Sequence, residues 1–408
     1  MTLEQKIILN LSAVSVTEKE QVPPLSESDL KAADWKQIKE ESIMQTVPLT
    51  TFESVMEYKD YIPKEVYEDW GSIALSVHQN NMTVQHSQFE LIKLLNENNF
   101  KYQIIKGTSA AAYYQKPSSR AFGDIDFLID KNEQSKIEET LIKAGYKKDS
   151  MAHISHVIFK KTYAHLEMHF EVAGLPTGKM GERIKEFLHP SIESSIIQDY
   201  DFGQFNSPDY LYHAVIILLH MQHHNLNDGM GLRHLCDWAA FVNKTGDKDF
   251  WTEKFIPFVK EVGLYKYLSV VTEMCVKYLF IAKPNWLIDS DEELCAELLE
   301  DMFIGGNFGR KNNERARSGQ IIAQKGAKKR SAVGSLAYSL HKSILLRYPI
   351  VKKVWIIYPF IYCWKVVKNL FEMAVGKKVS IGKMLPEAKK RQAIYDKLKV
   401  FEISEKEN

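Results

Sequence analysis

Lys106-Gly107-Thr108-Ser109, followed by Arg120-Ala121-Phe122-Gly123-Asp124-Ile125-Asp126-Phe127-Leu128-Ile129, is the stretch that decides the fold. It reads as a strand ending near Ile105, a glycine turn, a helix over Thr108 to Gln115, and a second strand carrying Asp-x-Asp. Strand alternation puts Asp124 and Asp126 on one face, with Ile125 and Phe127 on the other. Two carboxylates fixed on a rigid element suit a hard divalent cation such as Mg²⁺. A glycine turn that opens a helix beside them offers backbone N–H groups, at Thr108 and Ser109, to phosphate oxygens. Arg120 adds a guanidinium fork that matches phosphate, and Lys106 a point charge.

A third element follows in Ala164-His165-Leu166-Glu167-Met168-His169-Phe170-Glu171-Val172. Its strict alternation predicts a half-buried strand with Leu166, Met168, Phe170 and Val172 inward. The other face is entirely His and Glu, where a solvated face would carry Lys, Thr, Ser or Gln. One of these carboxylates is therefore expected to complete the acidic site.

Read together, these residues resemble the DNA polymerase β-like nucleotidyltransferase superfamily, and more closely its uncharacterised bacterial members with a "KG…R..GDIDLLV" string and a later acid-x-His strand. The resemblance covers about residues 100–172. It implies Asp124, Asp126 and Glu167 as metal-binding catalytic acids. It also implies nucleotide contacts from Lys106, Gly107, Thr108, Ser109, Arg120 and His169. The chain departs from the superfamily pattern in having Thr108 where Gly or Ser is usual, and Glu167 where Asp is usual. The implied reaction moves a nucleoside monophosphate from an NTP to an acceptor hydroxyl, with Mg²⁺, or Mn²⁺ in its place, clamping the reacting oxygens. Glu167 is also placed to accept the hydroxyl proton.

The length of 408 residues and the ordinary composition allow one large core plus a further lobe. The fold expected is α+β, with a small mixed polymerase β-like sheet embedded in helices. Residues 1–100 read as a helical region packed on the core, with helical spacing over Leu25–Ile43 and Tyr61–Leu95. Ser26 and Ser28 are candidate caps of the helix holding Trp35. Residues 101–206 form the nucleotidyltransferase core, in which Asn132 would cap a helix over Glu133–Ala144 that Gly145 stops. Residues 207–305 form a helical lobe, and residues 306–408 a basic loop, centred on Arg310–Arg330, with amphipathic helices after it.

In the lobe, His213, His220, His223 and His224 share one predicted helix. His220 and His224 lie one turn apart and are spaced to share a metal, without an H-E-x-x-H pattern; buried or bridging histidines explain them equally. Arg233 and Asp237, at i and i+4, read as a helix ion pair. A rival reading takes His153, His156, His220 and His224 as the ligands of a metal hydrolase.

The four cysteines are widely spaced, which excludes a zinc ribbon or disulfide framework. The first residues lack a basic start followed by an apolar run, so no secretory signal is expected and the protein reads as cytoplasmic. The net charge of +1 hides a split: residues 306–408 hold 23 Lys+Arg and 7 Asp+Glu, a balance of +16 that leaves −15 for the rest. Such asymmetry suits an anionic partner: a lipid surface, a nucleic acid or the chain's own acidic body. Val354–Trp364 is an apolar, aromatic run edged by lysines and broken by Pro359. It is too short to span a bilayer. Peripheral contact of residues 347–368 with the inner membrane face fits it, as does packing on the body with lysines reaching out. Nucleic acid fits less well, because no reading module is present. A non-enzymatic alternative follows: an adaptor that binds a nucleotide or a glycan phosphate at the membrane.

Overall fold

The computed structural model describes residues 1–150, 153, 155–200, 203–288, 291–319, 332–348, 350–375 and 378–402. Its sheet strands are β1 (Tyr102–Ile104), β2 (Ile125–Ile129), β3 (Lys147–Lys148), β4 (His156–Lys161) and β5 (Ala164–His169). The order is β1-β2-β5-β4-β3, with β2 and β5 parallel and every other pair antiparallel. A separate hairpin, β6 (Ile196–Tyr200) and β7 (Gly203–Ser207), lies against β1. Helices surround this mixed sheet, as an α+β reading requires.

The helix Lys64–Glu97 is the spine of the molecule. Its 34 residues span about 51 Å at 1.5 Å per residue. The buried positions Trp70, Ala74, Asn81, Gln85, Gln88, Ile92 and Leu95 recur at steps of three, four or seven residues, which is one helical face. The apolar end, Leu91 to Leu95, joins Ile104, Phe127, Leu166 and Met168 in the core under the sheet. The polar middle holds loops instead. Asn81 donates to the Arg120 carbonyl at 2.7 Å and accepts from the Phe122 N–H at 2.8 Å. Gln88 accepts the Thr108 hydroxyl at 2.9 Å.

A second, larger core joins the N-terminal helix Leu3–Ala13 to the helices Tyr210–Leu226, Leu232–Thr245 and Tyr265–Leu279. Asp209 caps the first of that trio through the Tyr212 N–H. Several caps differ from expectation. Ser26 caps Glu27–Ala32, and the Trp35 helix is capped by Asp34 through the Gln37 N–H. Asp130, not Asn132, caps the turn leading into the helix Gln134–Lys143, because its carboxylate reaches the Asn132 N–H. Gly145 does end that helix, at φ +89°.

The helix after Gly107 is only Thr108–Ala111, and β5 ends at His169, short of Val172. The basic segment expected as a loop contains a helix, Asn313–Ser318, in which Arg315 is fully buried and forks onto Asp301. Residues 320–331 of that segment lie outside the described residues. Pro359 starts a helix, Tyr358–Ala374, and does not kink one, since its missing N–H is an orphan in a first turn anyway. Among the described residues no helix is long and apolar enough to cross a membrane.

Candidate active site

The parallel pairing of β2 and β5 sets the site. Asp126 and Glu167 are direct cross-strand partners, so their side chains rise from the same face of adjacent strands. Asp124 precedes β2 by one residue and joins them on the floor of a cleft of about 400 Å³. That volume falls within the range of small-molecule sites.

Asp126 is the buried member, only 7% exposed. Lys106 Nζ donates to its Oδ1 at 2.7 Å and His169 Nε2 at 2.9 Å, while His169 lies 3.3 Å from Glu167 Oε2. Burial works to raise the Asp126 carboxyl, but the Lys106 charge and the His169 hydrogen bond outweigh it and hold the group well below the usual carboxylate range. Burial likewise works to lower His169, and its bonds to Asp126 and Glu167 leave it raised. Asp124 differs: burial raises it, against the pull of His165, whose Nδ1 lies 2.7 Å away. His156 reaches Glu167 at 4.0 Å and stacks on His153 at 4.1 Å between ring centroids. Burial, then the neighbouring His169, push His156 down to about 4.

The glycine turn contributes Lys106 and Gly107 to the cleft. Gly107 has φ +60°, a conformation that favours glycine. Thr108 and Ser109 are fully buried beneath the turn, their hydroxyls bonded to Gln88 and Ser207. The Ser109 amide is tied back to the Lys106 carbonyl. Arg120 lines the cleft, but its guanidinium is committed: Nε and Nη2 fork onto Asp237 at 2.7 and 2.8 Å. Tyr114 gives Asp237 a third bond at 2.8 Å.

This corrects the expected Arg233–Asp237 helix pair. The fork from Arg120 outcompetes a one-turn neighbour in a site where Asp237 is buried. Arg233 is left with its guanidinium over the Phe308 ring at 5.4 Å. Burial, then the charge of Arg120, push Arg233 down to about 10. Arg310 also lines the cleft, bonded to the Thr46 hydroxyl at 3.3 Å. Among the described residues, neither Arg233 nor Arg310 has a carboxylate at ion-pair distance. The sequence reading weighed a ligand contact for Arg233 but preferred the ion pair, and it took Arg310 only as the start of a basic loop. A signal was present in the spacing of basic residues, but nothing in it showed which carboxylates were already taken.

His220, His224 and His234 also line the cleft, with the Nε2 atoms of His220 and His224 2.9 Å apart. One ligand-capable atom from each lies within 4.8 Å of the others, and His156, Glu167 and His169 form a second such group. The histidines proposed for a hydrolase are thus not brought together: His220 and His224 group with His234, His156 with Glu167 and His169, and His153 falls in neither group. Burial first, then nearby positive charge, keeps all three of His220, His224 and His234 well below the ordinary imidazole range.

A family model described as an uncharacterised nucleotidyltransferase matches residues 31–280, well over half the chain and all of the cleft apart from Phe308 and Arg310. No curated protein matches the chain. By the extent of that match, which takes in both the acidic strands and the helices that line the cleft with them, the chain belongs to the uncharacterised nucleotidyltransferase family.

Proposed function

We propose that the cleft transfers a nucleoside monophosphate from an NTP to an acceptor hydroxyl: the hydroxyl oxygen bonds to the α-phosphorus, the α–β phosphoanhydride bond breaks and pyrophosphate leaves. The observation that carries this reading is that Asp124, Asp126 and Glu167 line the same cleft as Arg233 and Arg310. An acidic lining alone would repel a triphosphate, and a basic lining alone would bind one without activating it.

The donor set fits hard divalent ions, because three carboxylates supply only oxygen. Asp126 in particular is held ionised, which a ligand to Mg²⁺ requires. Asp124, Asp126 and Glu167 would hold Mg²⁺ or Mn²⁺, which supplies charge neutralisation at the transferred phosphoryl group and acidifies the attacking hydroxyl. Arg233 and Arg310 bind the β- and γ-phosphates with charge-assisted bonds. Glu167 accepts the proton of the acceptor hydroxyl. His169, buried and bonded to both Asp126 and Glu167, fixes their side chains. Lys106 holds Asp126 and lines the phosphate end of the cleft. Arg120 acts as a positioning residue through Asp237.

Calorimetric titration with each of the four NTPs, with Mg²⁺, Mn²⁺ or neither, tests the reading. Metal-dependent binding of one NTP, lost in Asp126→Asn with circular dichroism unchanged, is the expected result. No binding of any NTP with either metal would refute it.

A further inference from the structure

The helix Tyr358–Ala374 is amphipathic in the wrong sense for a soluble body: its outward face is the apolar one. Phe360, Trp364, Val367 and Phe371 recur at i, i+4, i+7 and i+11, and are 74, 52, 64 and 63% exposed. Leu370 widens the stripe, and Trp355 and Ile356, in the turn before the helix, continue it. The opposite face is already used. Tyr358 bonds His341 of the helix Ala332–Arg347 at 2.5 Å, and Tyr362, Val366 and Met373 line a cavity of about 560 Å³ together with Leu336 and Leu340 of that helix. A contiguous apolar face of this size, rimmed by charge, marks an interaction surface.

Charge identifies what covers it. Residues 332–378 hold eight Lys+Arg and one Asp+Glu. Elsewhere in the basic C-terminal part the acidic body takes up cations, as in Lys311–Glu41 at 2.7 Å and Lys397–Glu297 at 2.5 Å. Among the described residues of 332–378, ion pairs are made only with Glu372, from Lys368 and Lys378. Lys365 and Lys368 hold their ammonium groups 5.0 and 5.5 Å from the Trp364 ring centroid, at the rim of the apolar stripe. A second copy of the chain would bring two such basic rims together, which like-charge repulsion opposes. An anionic lipid surface offers phosphates to the lysines and acyl chains to the aromatics at matching depths. The helix is 17 residues, about 25 Å long, so it lies in the interface without crossing.

We propose that this face docks flat on an anionic lipid surface, with Trp355, Phe360, Trp364 and Phe371 inserted among the headgroups. The inference is independent of the cleft chemistry. It brings an acceptor at the membrane within the protein's working environment.

Intrinsic fluorescence provides the test, since Trp355 and Trp364 are exposed and the other five tryptophans are buried. The full chain is mixed with vesicles of phosphatidylcholine alone, or with added phosphatidylglycerol, with and without brominated acyl chains. Expected are flotation with the anionic vesicles, bromine quenching of the bound protein, and weakening at high salt. The triple variant Phe360→Ser/Trp364→Ser/Phe371→Ser should keep its circular dichroism and lose at least tenfold in vesicle affinity. Lys365→Glu/Lys368→Glu should lose the preference for anionic lipid. Failure to bind anionic vesicles, binding without quenching, or a solution dimer that the triple variant dissociates would each overturn the proposal.

Discussion

Replacing Arg120 by Met separates structure from ligand binding at the cleft. Arg120 is 5% exposed and Asp237 7%; besides the fork, Asp237 accepts the Tyr114 hydroxyl and Arg120 donates to the Ala121 carbonyl at 3.2 Å. Removing the cation strands a buried carboxylate with one neutral donor. Breaking such a pair typically costs about 3–5 kcal/mol. Arg233 lies one helical turn from Asp237 and can swing toward it, which offsets part of the loss. The expected destabilisation is therefore near the lower end, about 3 kcal/mol. Asp237→Leu should cost at least as much, because two adjacent guanidiniums then face each other without a counter-ion. The double variant Arg120→Met/Asp237→Leu removes both charges and leaves the Tyr114 hydroxyl unpaired, a loss of about 1–3 kcal/mol. Urea denaturation of the four proteins gives the cycle, and the coupling should exceed about 2 kcal/mol. Arg120→Met within about 0.5 kcal/mol of the parent, a range typical of surface changes, would refute the reasoning. NTP affinity lost in that same stable variant would return Arg120 to the direct phosphate role suggested by its sequence context.

Three further outcomes follow from the geometry. Arg233→Gln and Arg310→Gln should each weaken Mg-NTP binding about tenfold or more, the scale of one charge-assisted hydrogen bond, in calorimetry; unchanged affinity in both would remove the two guanidiniums from the proposal. Asn81→Ala leaves the buried Phe122 N–H without its acceptor and should cost about 1–3 kcal/mol, with faster amide exchange across residues 117–124 while the rest of the protein stays protected. His213, fully buried and 2.7 Å from the Tyr113 hydroxyl, is pushed down to about 4, by burial above all. Its unfolded form binds a proton near 6.5 and its folded form does not, so its contribution is intact above that pH and is lost as pH falls from about 6.5 toward 4, by about 3 kcal/mol in all. His213→Gln should flatten the acid limb of stability against pH; an unchanged limb would assign it to other groups.

The strands were legible because their period is local. Ile125, Phe127, Leu166 and Met168 alternate with the acids, and the structure buries them all. What alternation could not supply is register. That Glu167 faces Asp126 follows from β5 entering beside β2 ahead of β4, a pairing across some forty residues that no window contains. The Arg233 expectation failed for a related reason. The i, i+4 rule describes exposed helix faces, where no third group competes, and here Arg120 arrives from another element. The C-terminal helix shows the reverse limit. Its apolar stripe was plain in the residues, yet periodicity says only that a helix has two faces, and the helix Ala332–Arg347 takes the less apolar one.

The failures of local rules cluster at the cleft, although Arg315 and Arg391 are buried outside it. A core excludes charge, yet Arg120, Asp126, His169, His234 and Asp237 are buried together around one cleft, and His213 is buried as well. The spine helix carries Asn81 and Gln88 where apolar residues would pack better, and both hold the loops that shape that cleft. Each such group adds desolvation cost that an apolar side chain would avoid. Sequences that specify a fold are consistent across levels except where function intrudes. Gathering buried polar groups at one cleft, lined by three acids and by two guanidiniums that have no carboxylate at ion-pair distance among the described residues, is a cost the fold alone does not require. Binding a ligand that is both multiply anionic and metal-bearing would require it.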